Sequence, residues 1–240
     1  MSPPVDALLS VQGAVKSFGG VRAVDGCTFD VAKGSTTGLI GPNGSGKTTT
    51  FNLITGLERP EEGEIYFEGQ PLVGKRPHQI TRSGLGRTFQ TTRVFPDMTV
   101  VENMMVAAPE DNFDDSADRA IELLALVGLI ELREEFGGNL SYGQNKLVEI
   151  ARVHMRPHRM VMLDEPFAGV NRTLAEQLVD YIEKMHARGV TYLIIDHEMK
   201  LVMRLCQRIL VLDQGKLLVE GLPEVVQNDP AVLSAYFGQE

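Results

Sequence analysis

Two hydrophobic patterns alternate along this chain. Residues 36–40 ("TTGLI") and the segments "RMVMLDE", "VTYLIID" and "RILVLDQGKLLVEG" carry short, nearly continuous apolar runs. Such runs, bounded by Gly, Pro or charged residues, predict strands buried on both faces. Between them, "TLAEQLVDYIEKMHARG" repeats its apolar positions at three-to-four spacing and stops at Gly189, which predicts an amphipathic helix. Nearer the N-terminus, residues 8–15 and 22–31 read as strands joined by a turn at Gly19-Gly20, and residues 63–69 as another strand between glycines. From about residue 100 to 153 the pattern is helical: "VVENMMVAA", "ADRAIELLALVGL" and "QNKLVEIARVHM". The acidic stretch "PEDNFDDSAD" (109–118) is expected to be a solvated loop between the first two. A helical tail is expected after the last strand pair. The whole predicts an α/β fold whose mainly parallel core sheet is interrupted by a helical insert.

Composition narrows the picture. The net charge of -9 argues against a nucleic-acid partner, which would call for clustered Lys and Arg. The longest apolar stretch, "LLALVGLI", falls far short of the roughly 20 residues of a membrane span. The opening "MSPPVDALLS" has neither the basic region nor the apolar core of a secretory leader. Only Cys27 and Cys206 are present, too few for a disulfide framework, so a cytosolic location is expected. His154 and His158 stand four apart, but Pro157 interrupts the segment and no third ligand is evident, so both are read as structural. The ten methionines are read as core filler.

Three stretches carry chemistry. "GPNGSGKT" fits G-x-x-x-x-G-K-[ST] in full, after a predicted strand and at the start of a predicted helix. Its glycines let backbone N–H groups curl around phosphate, Lys47 is expected to reach the β and γ phosphates, and the Thr48 hydroxyl to ligate Mg²⁺. The single Asn-Lys pair, Asn145-Lys146, lacks the Asp of a guanine-binding motif, since Val148 stands there; ATP is favoured. Asp164 and Glu165 follow directly on an apolar strand, and their side chains should diverge. Asp164 is expected to hold the metal's water shell and Glu165 to act as general base on the attacking water. "LSYGQ" has the form of a capping box, Ser141 with Gln144, and a helix start of that kind also serves as an anion site.

Taken in order, "GPNGSGKTT", "RTFQ", "LSYGQ", "VMLDEP", "AGVN" and "IIDH" make the chain resemble an ABC ATPase, the nucleotide-binding subunit of ABC transporters, from about residue 8 to 238. The resemblance implies one domain: a P-loop NTPase with a RecA-like core (about 8–90 and 158–238), an N-terminal antiparallel β subdomain and an inserted α-helical subdomain (about 91–157). It also implies site residues. Phe18 would stack on adenine, and Gly41, Pro42, Asn43, Gly44, Ser45, Gly46, Lys47, Thr48 and Thr49 would hold phosphate. Gln90 would touch Mg²⁺ or the lytic water, and His197 the γ-phosphate. Ser141, Tyr142, Gly143 and Gln144 would close over ATP bound to another chain, with Tyr142 turned away from the nucleotide. Residues 168–171 would cross that dimer interface. The implied assembly is a homodimer, or a heterodimer with a paralogue, bound to membrane permease subunits on the inner face of the cell membrane and served by an extracytoplasmic binding protein. "GLGRTFQTTRVFPDMTVVENM", "DHEMKLVM" and "NDPAVLSAYFG" resemble the ATPases of branched-chain amino acid importers. "LDEPFAGV" is similar also to lipopolysaccharide-export ATPases, and an ABC ATPase without a permease, of the iron–sulfur assembly type, is a further alternative.

Overall fold

The computed structural model describes residues 7–90, 93–109 and 113–237. The chain opens with two long antiparallel strands, β1 (Ala7–Phe18) and β2 (Val21–Ala32), followed by β3 (Thr36–Ile40) and helix α1 (Lys47–Ile54). Then come β4 (Glu62–Phe67), β5 (Gln70–Pro71), α2 (Pro77–Arg82) and β6 (Leu85–Arg87). Three helices follow: α3 (Val100–Met105), α4 (Phe113–Leu126) and α5 (Tyr142–Val153). The chain continues through β7 (Met160–Asp164), α6 (Arg172–Ala187), β8 (Thr191–Ile195), α7 (Met199–Leu205) and the β9–β10 hairpin (Arg208–Asp213, Lys216–Gly221). It ends in α8 (Pro223–Gln227) and α9 (Pro230–Phe237).

These strands form two sheets. One is antiparallel, in the order β2-β1-β4-β5; the other runs β10-β9-β3-β8-β7-β6, parallel except for β10. Period-2 alternation explains how the continuous apolar runs serve two cores. Met160 and Met162, with Leu193, Ile195, Leu210 and Leu212, face α1 and the antiparallel sheet. Their neighbours Val161, Leu163, Tyr192, Ile194, Ile209 and Val211 face the helices. Every residue of β3, β7 and β8 is buried, as expected of a sheet covered on both sides. The helices α3, α4 and α5 pack on one another.

One sequence expectation is corrected. The acidic stretch 109–118 is not a solvated loop throughout, because α4 begins at Phe113 and Ser116 is buried. Its Asp115 and Asp118 sit on the first turns of an amphipathic helix, where a carboxylate favours the positive N-terminal end. The short elements β5, α2 and β6 have no periodic signature long enough to read from sequence.

His154 is bound into the core by the chain's own polar groups. His154 is buried, with Nδ1 2.8 Å from the Ile150 carbonyl and Nε2 2.8 Å from the Tyr192 hydroxyl. The Tyr181 hydroxyl lies 3.1 Å from Nδ1. Among the described residues no cluster of three His, Cys, Asp or Glu could hold a metal ion. Burial pushes the His154 pKa down to about 3, so the folded protein keeps this imidazole neutral. The unfolded chain takes up that proton near pH 6.5. Its contribution is therefore complete above that value and lost as pH falls toward 3. Wild-type stability, measured by urea unfolding, should fall more steeply below pH 6 than that of His154→Gln, by about 1.4 kcal/mol per pH unit. Parallel slopes would contradict this.

Candidate functional site

The phosphate loop is the turn from β3 into α1. Gly41 has φ +150° and Gly46 φ +101°. A Cβ on Gly41 would stand 2.1 Å from the Leu212 carbonyl, and one on Gly46 2.3 Å from the Ala23 carbonyl. The loop is also tied from outside: the Gly215 N–H donates to Ser45 O at 3.0 Å, and the Asp25 N–H to Gly215 O at 2.9 Å. Lys47 closes it from within. Its ammonium donates to the carbonyls of Gly41 (2.8 Å) and Pro42 (2.9 Å), and burial lowers its pKa while Glu165 opposes the shift. The first turn of α1 holds no acidic residue and no side-chain cap, so its N–H groups and dipole face an incoming anion. Thr48 stands exposed on that turn. A narrow glycine cradle, a buried ammonium and an uncapped helix start fit a nucleotide's phosphates, with Thr48 placed for a divalent ion.

The two carboxylates diverge as expected. Asp164 ends β7 facing inward, where Oδ2 accepts from Arg87 Nη2 at 2.8 Å, with both side chains nearly buried. Glu165 leaves the strand with φ +51°, a left-handed conformation that non-glycine residues seldom adopt and that tends to persist at functional positions. Its N–H is held by the Ile195 carbonyl at 2.8 Å. Its carboxylate is gripped from two sides, by Gln90 Nε2 at 2.9 Å and His197 Nε2 at 3.1 Å. Thus Gln90, Glu165 and His197, 107 positions apart from first to last (197 − 90), meet at one point near Lys47.

Three residues that shape this point escaped sequence reading. Arg87 pairs with Asp164, and the Thr88 hydroxyl accepts from the Asp164 N–H at 3.2 Å. Asp196 accepts from the Phe167 N–H (2.8 Å) and the Glu198 N–H (2.9 Å), binding the turn after Glu165 to the loop that carries His197. Burial raises its pKa. The available signals were a lone Arg inside "GRTFQ" and an Asp beside His197.

Phe18 lies at the end of β1 and is 48% exposed, so it is not a core residue; Lys16 Nζ lies 5.1 Å from its ring centroid. The signature segment stands elsewhere. Ser141 caps α5, accepting from the Gln144 N–H at 3.3 Å while Gln144 Oε1 accepts from the Ser141 N–H at 2.8 Å. Gly143 is pressed against Leu174, whose Cδ2 would be 2.6 Å from an added Cβ. The Tyr142 hydroxyl is 3.4 Å from Ala168 O and its ring rests on Gly169, turned onto the 168–171 loop. Ser141, Tyr142, Gly143 and Gln144 line a cleft with Gly169 and Asn171 that no phosphate-loop residue shares. Within one chain, then, Gln90, Glu165 and His197 gather near Lys47, and "LSYGQ" does not join them.

The Gly46→Ala substitution places a methyl group against the Ala23 carbonyl at a backbone angle unsuited to it. It should weaken ATP binding at least about tenfold while costing about 1–3 kcal/mol of stability. Titration with a fluorescent ATP analogue and urea unfolding check both, and unchanged affinity would contradict the geometry.

Comparison with known proteins shows the family to which this fold belongs. A family model described as ABC transporter matches residues 24–168, and one described as Branched-chain amino acid ATP-binding cassette transporter matches residues 216–240. The chain is 39% identical to the high-affinity branched-chain amino acid transport ATP-binding protein BraF of Pseudomonas aeruginosa, over 100% of both chains. It is 35% identical to the probable branched-chain amino acid transport ATP-binding protein LivG of Archaeoglobus fulgidus, covering 97% of this chain and 96% of that one. A solved ATP-binding cassette of an ABC transporter in its ADP conformation superposes with a TM-score of 0.89 at 34% identity, covering 97% of this chain and 99% of the other. The chain belongs to the ABC transporter ATPase family, as an ATP-binding subunit homologous to those of branched-chain amino acid importers.

Proposed function

We propose that two copies of this chain, or one copy and a paralogue, pair head to tail around two ATP molecules and drive a membrane permease importing branched-chain or related amino acids. The observation that carries this reading is the Glu165 carboxylate, held by Gln90 and His197 beside the phosphate loop while the signature helix start faces another cleft. A complete site then requires a second chain to bring Ser141 to the first chain's nucleotide.

Phe18 would stack on the base. The backbone from Gly41 to Thr49 and the Lys47 ammonium would hold the phosphates. Thr48 and Gln90, with Asp164 beside them, would hold Mg²⁺, which when bound would supply positive charge against that of the phosphates. Arg87 already engages Asp164 Oδ2, which holds this carboxylate in place. Glu165 would take a proton from water as it attacks the γ-phosphorus and the bond to the ADP oxygen breaks. Gln90 and His197 orient the Glu165 carboxylate, and His197 would follow the γ-phosphate. The Ser141 hydroxyl and the N–H groups of the partner's α5 would supply further stabilisation of developing charge.

No described helix is long and apolar enough to cross a membrane, so attachment to the inner face of the cell membrane would come through the permease. The domain division follows the same reading: α3 to α5, packed on one another, form the insert (91–157) between two core segments (8–90, 158–238) of a single domain.

The Glu165→Gln variant keeps the shape of the site and loses the base. It should bind ATP with near wild-type affinity, hydrolyse it about 10²–10³-fold more slowly, and accumulate as an ATP-dependent dimer in size-exclusion chromatography. Normal turnover in this variant would sink the base assignment.

A further inference from the structure

Phe18 ends β1 half exposed and belongs to neither hydrophobic core. What holds its ring is a cation. Residues two apart on a strand share a face, and Lys16 Nζ lies over the Phe18 ring, 5.1 Å from its centroid. The ammonium is fixed in its turn. It pairs with Glu58 Oε2 at 3.2 Å and donates to the Arg59 carbonyl at 3.2 Å, and the Lys16 side chain is only 17% exposed.

The loop between α1 and β4 supplies both partners, and it grips β1 twice more. The Glu61 N–H donates to the Val15 carbonyl at 2.8 Å, and Glu61 Oε1 accepts from the Ser17 N–H at 3.2 Å. The same loop is anchored on α1, where the Asn52 carbonyl accepts from the N–H groups of Leu57 (3.0 Å) and Glu58 (3.1 Å). One helix thus starts at the phosphate loop and ends in the segment that fixes residues 15–17. An exposed aromatic ring without such a hold samples several rotamers, and a ligand that stacks on it must order it at a cost in affinity. A cation against one face removes that cost in advance.

We propose that Lys16 is a positioning residue for the nucleotide's base: its ammonium covers one face of the Phe18 ring and keeps the other presented for stacking. This rests on the reading above that Phe18 stacks on the base. Lys16 touches the ring and not the nucleotide, so it sets affinity for the base and takes no part in hydrolysis. The frame formed by α1 and the 55–61 loop then fixes the base shelf relative to the phosphate cradle.

The test measures binding of ADP and of inorganic pyrophosphate to the full chain by isothermal titration calorimetry in Mg²⁺ buffer. ADP carries a base and pyrophosphate does not. Lys16→Met keeps the aliphatic stem and removes the charge. It should raise the Kd for ADP about three- to fivefold and leave that for pyrophosphate within about 1.5-fold. Lys16→Arg keeps a cation that lies well on an aromatic face and should stay within about 1.5-fold of wild type for both. Phe18→Ala should weaken ADP binding about tenfold, and adding Lys16→Met to it should cause no further loss. In steady-state hydrolysis, Lys16→Met should raise KM for ATP and leave kcat within about twofold. Unchanged or tighter ADP binding by Lys16→Met overturns the proposal, as does an equal weakening of pyrophosphate or a loss that persists without the Phe18 ring. If Lys16→Met fails to fold, Glu58→Gln, which takes away the ammonium's ion-pair partner, carries the comparison with a loss of about twofold for ADP alone. Phe18→Ala separates the two readings. Unchanged ADP affinity there removes the base stack itself, whereas weakened binding beside an unaffected Lys16→Met removes only the part given to the lysine.

Discussion

The site depends on one packing constraint: the turn from β3 to α1 has no room for a side chain at Gly41 or Gly46. The Leu212 carbonyl closes one end and the Ala23 carbonyl the other. Both belong to strands outside the turn, so the antiparallel sheet and the β9–β10 hairpin together set its curvature. Lys47 completes the arrangement by capping the loop's own carbonyls with a buried ammonium. Such a charge is tolerable only with partners, and the two carbonyls supply them until a phosphate does.

A second theme is how little positive charge the site brings to a polyanion. The chain carries a net charge of -9, and Arg87 is already committed to Asp164. Helix starts supply the rest. Neither α1 nor α5 has an acidic residue in its first turn, so both present uncompensated dipole ends. The signature helix start lines a cleft that no phosphate-loop residue shares. Under the proposed head-to-tail pairing, nucleotide is the material that joins two subunits and hydrolysis the event that separates them.

Much of this was legible in sequence because the relevant physics is local. The glycine spacing of residues 41–46, the Ser141–Gln144 capping box and the apolar runs of β3, β7 and β8 each carry their cause within a few residues. Arg87 and Asp196 were not legible, because their meaning lies in partners on other strands and loops. Strand β6 is three residues long, too short for any period, yet it delivers Arg87, Thr88 and the approach to Gln90. The acidic stretch was misread for a related reason. Asp115 and Asp118 look like a solvated loop until the burial of Ser116 and Ala120 shows that they occupy the outer face of a helix.

The central claim is that one working site is built from two chains, and a mixing experiment tests it most directly. Lys47→Ala disables the phosphate loop, and Ser141→Arg fills the signature cleft with a bulky cation while leaving the loop intact. Neither variant alone should hydrolyse ATP at an appreciable rate. Mixed, they should regain activity, since a mixed pair holds one intact loop facing one intact signature. An inactive mixture, or full activity of Ser141→Arg by itself, would contradict the account.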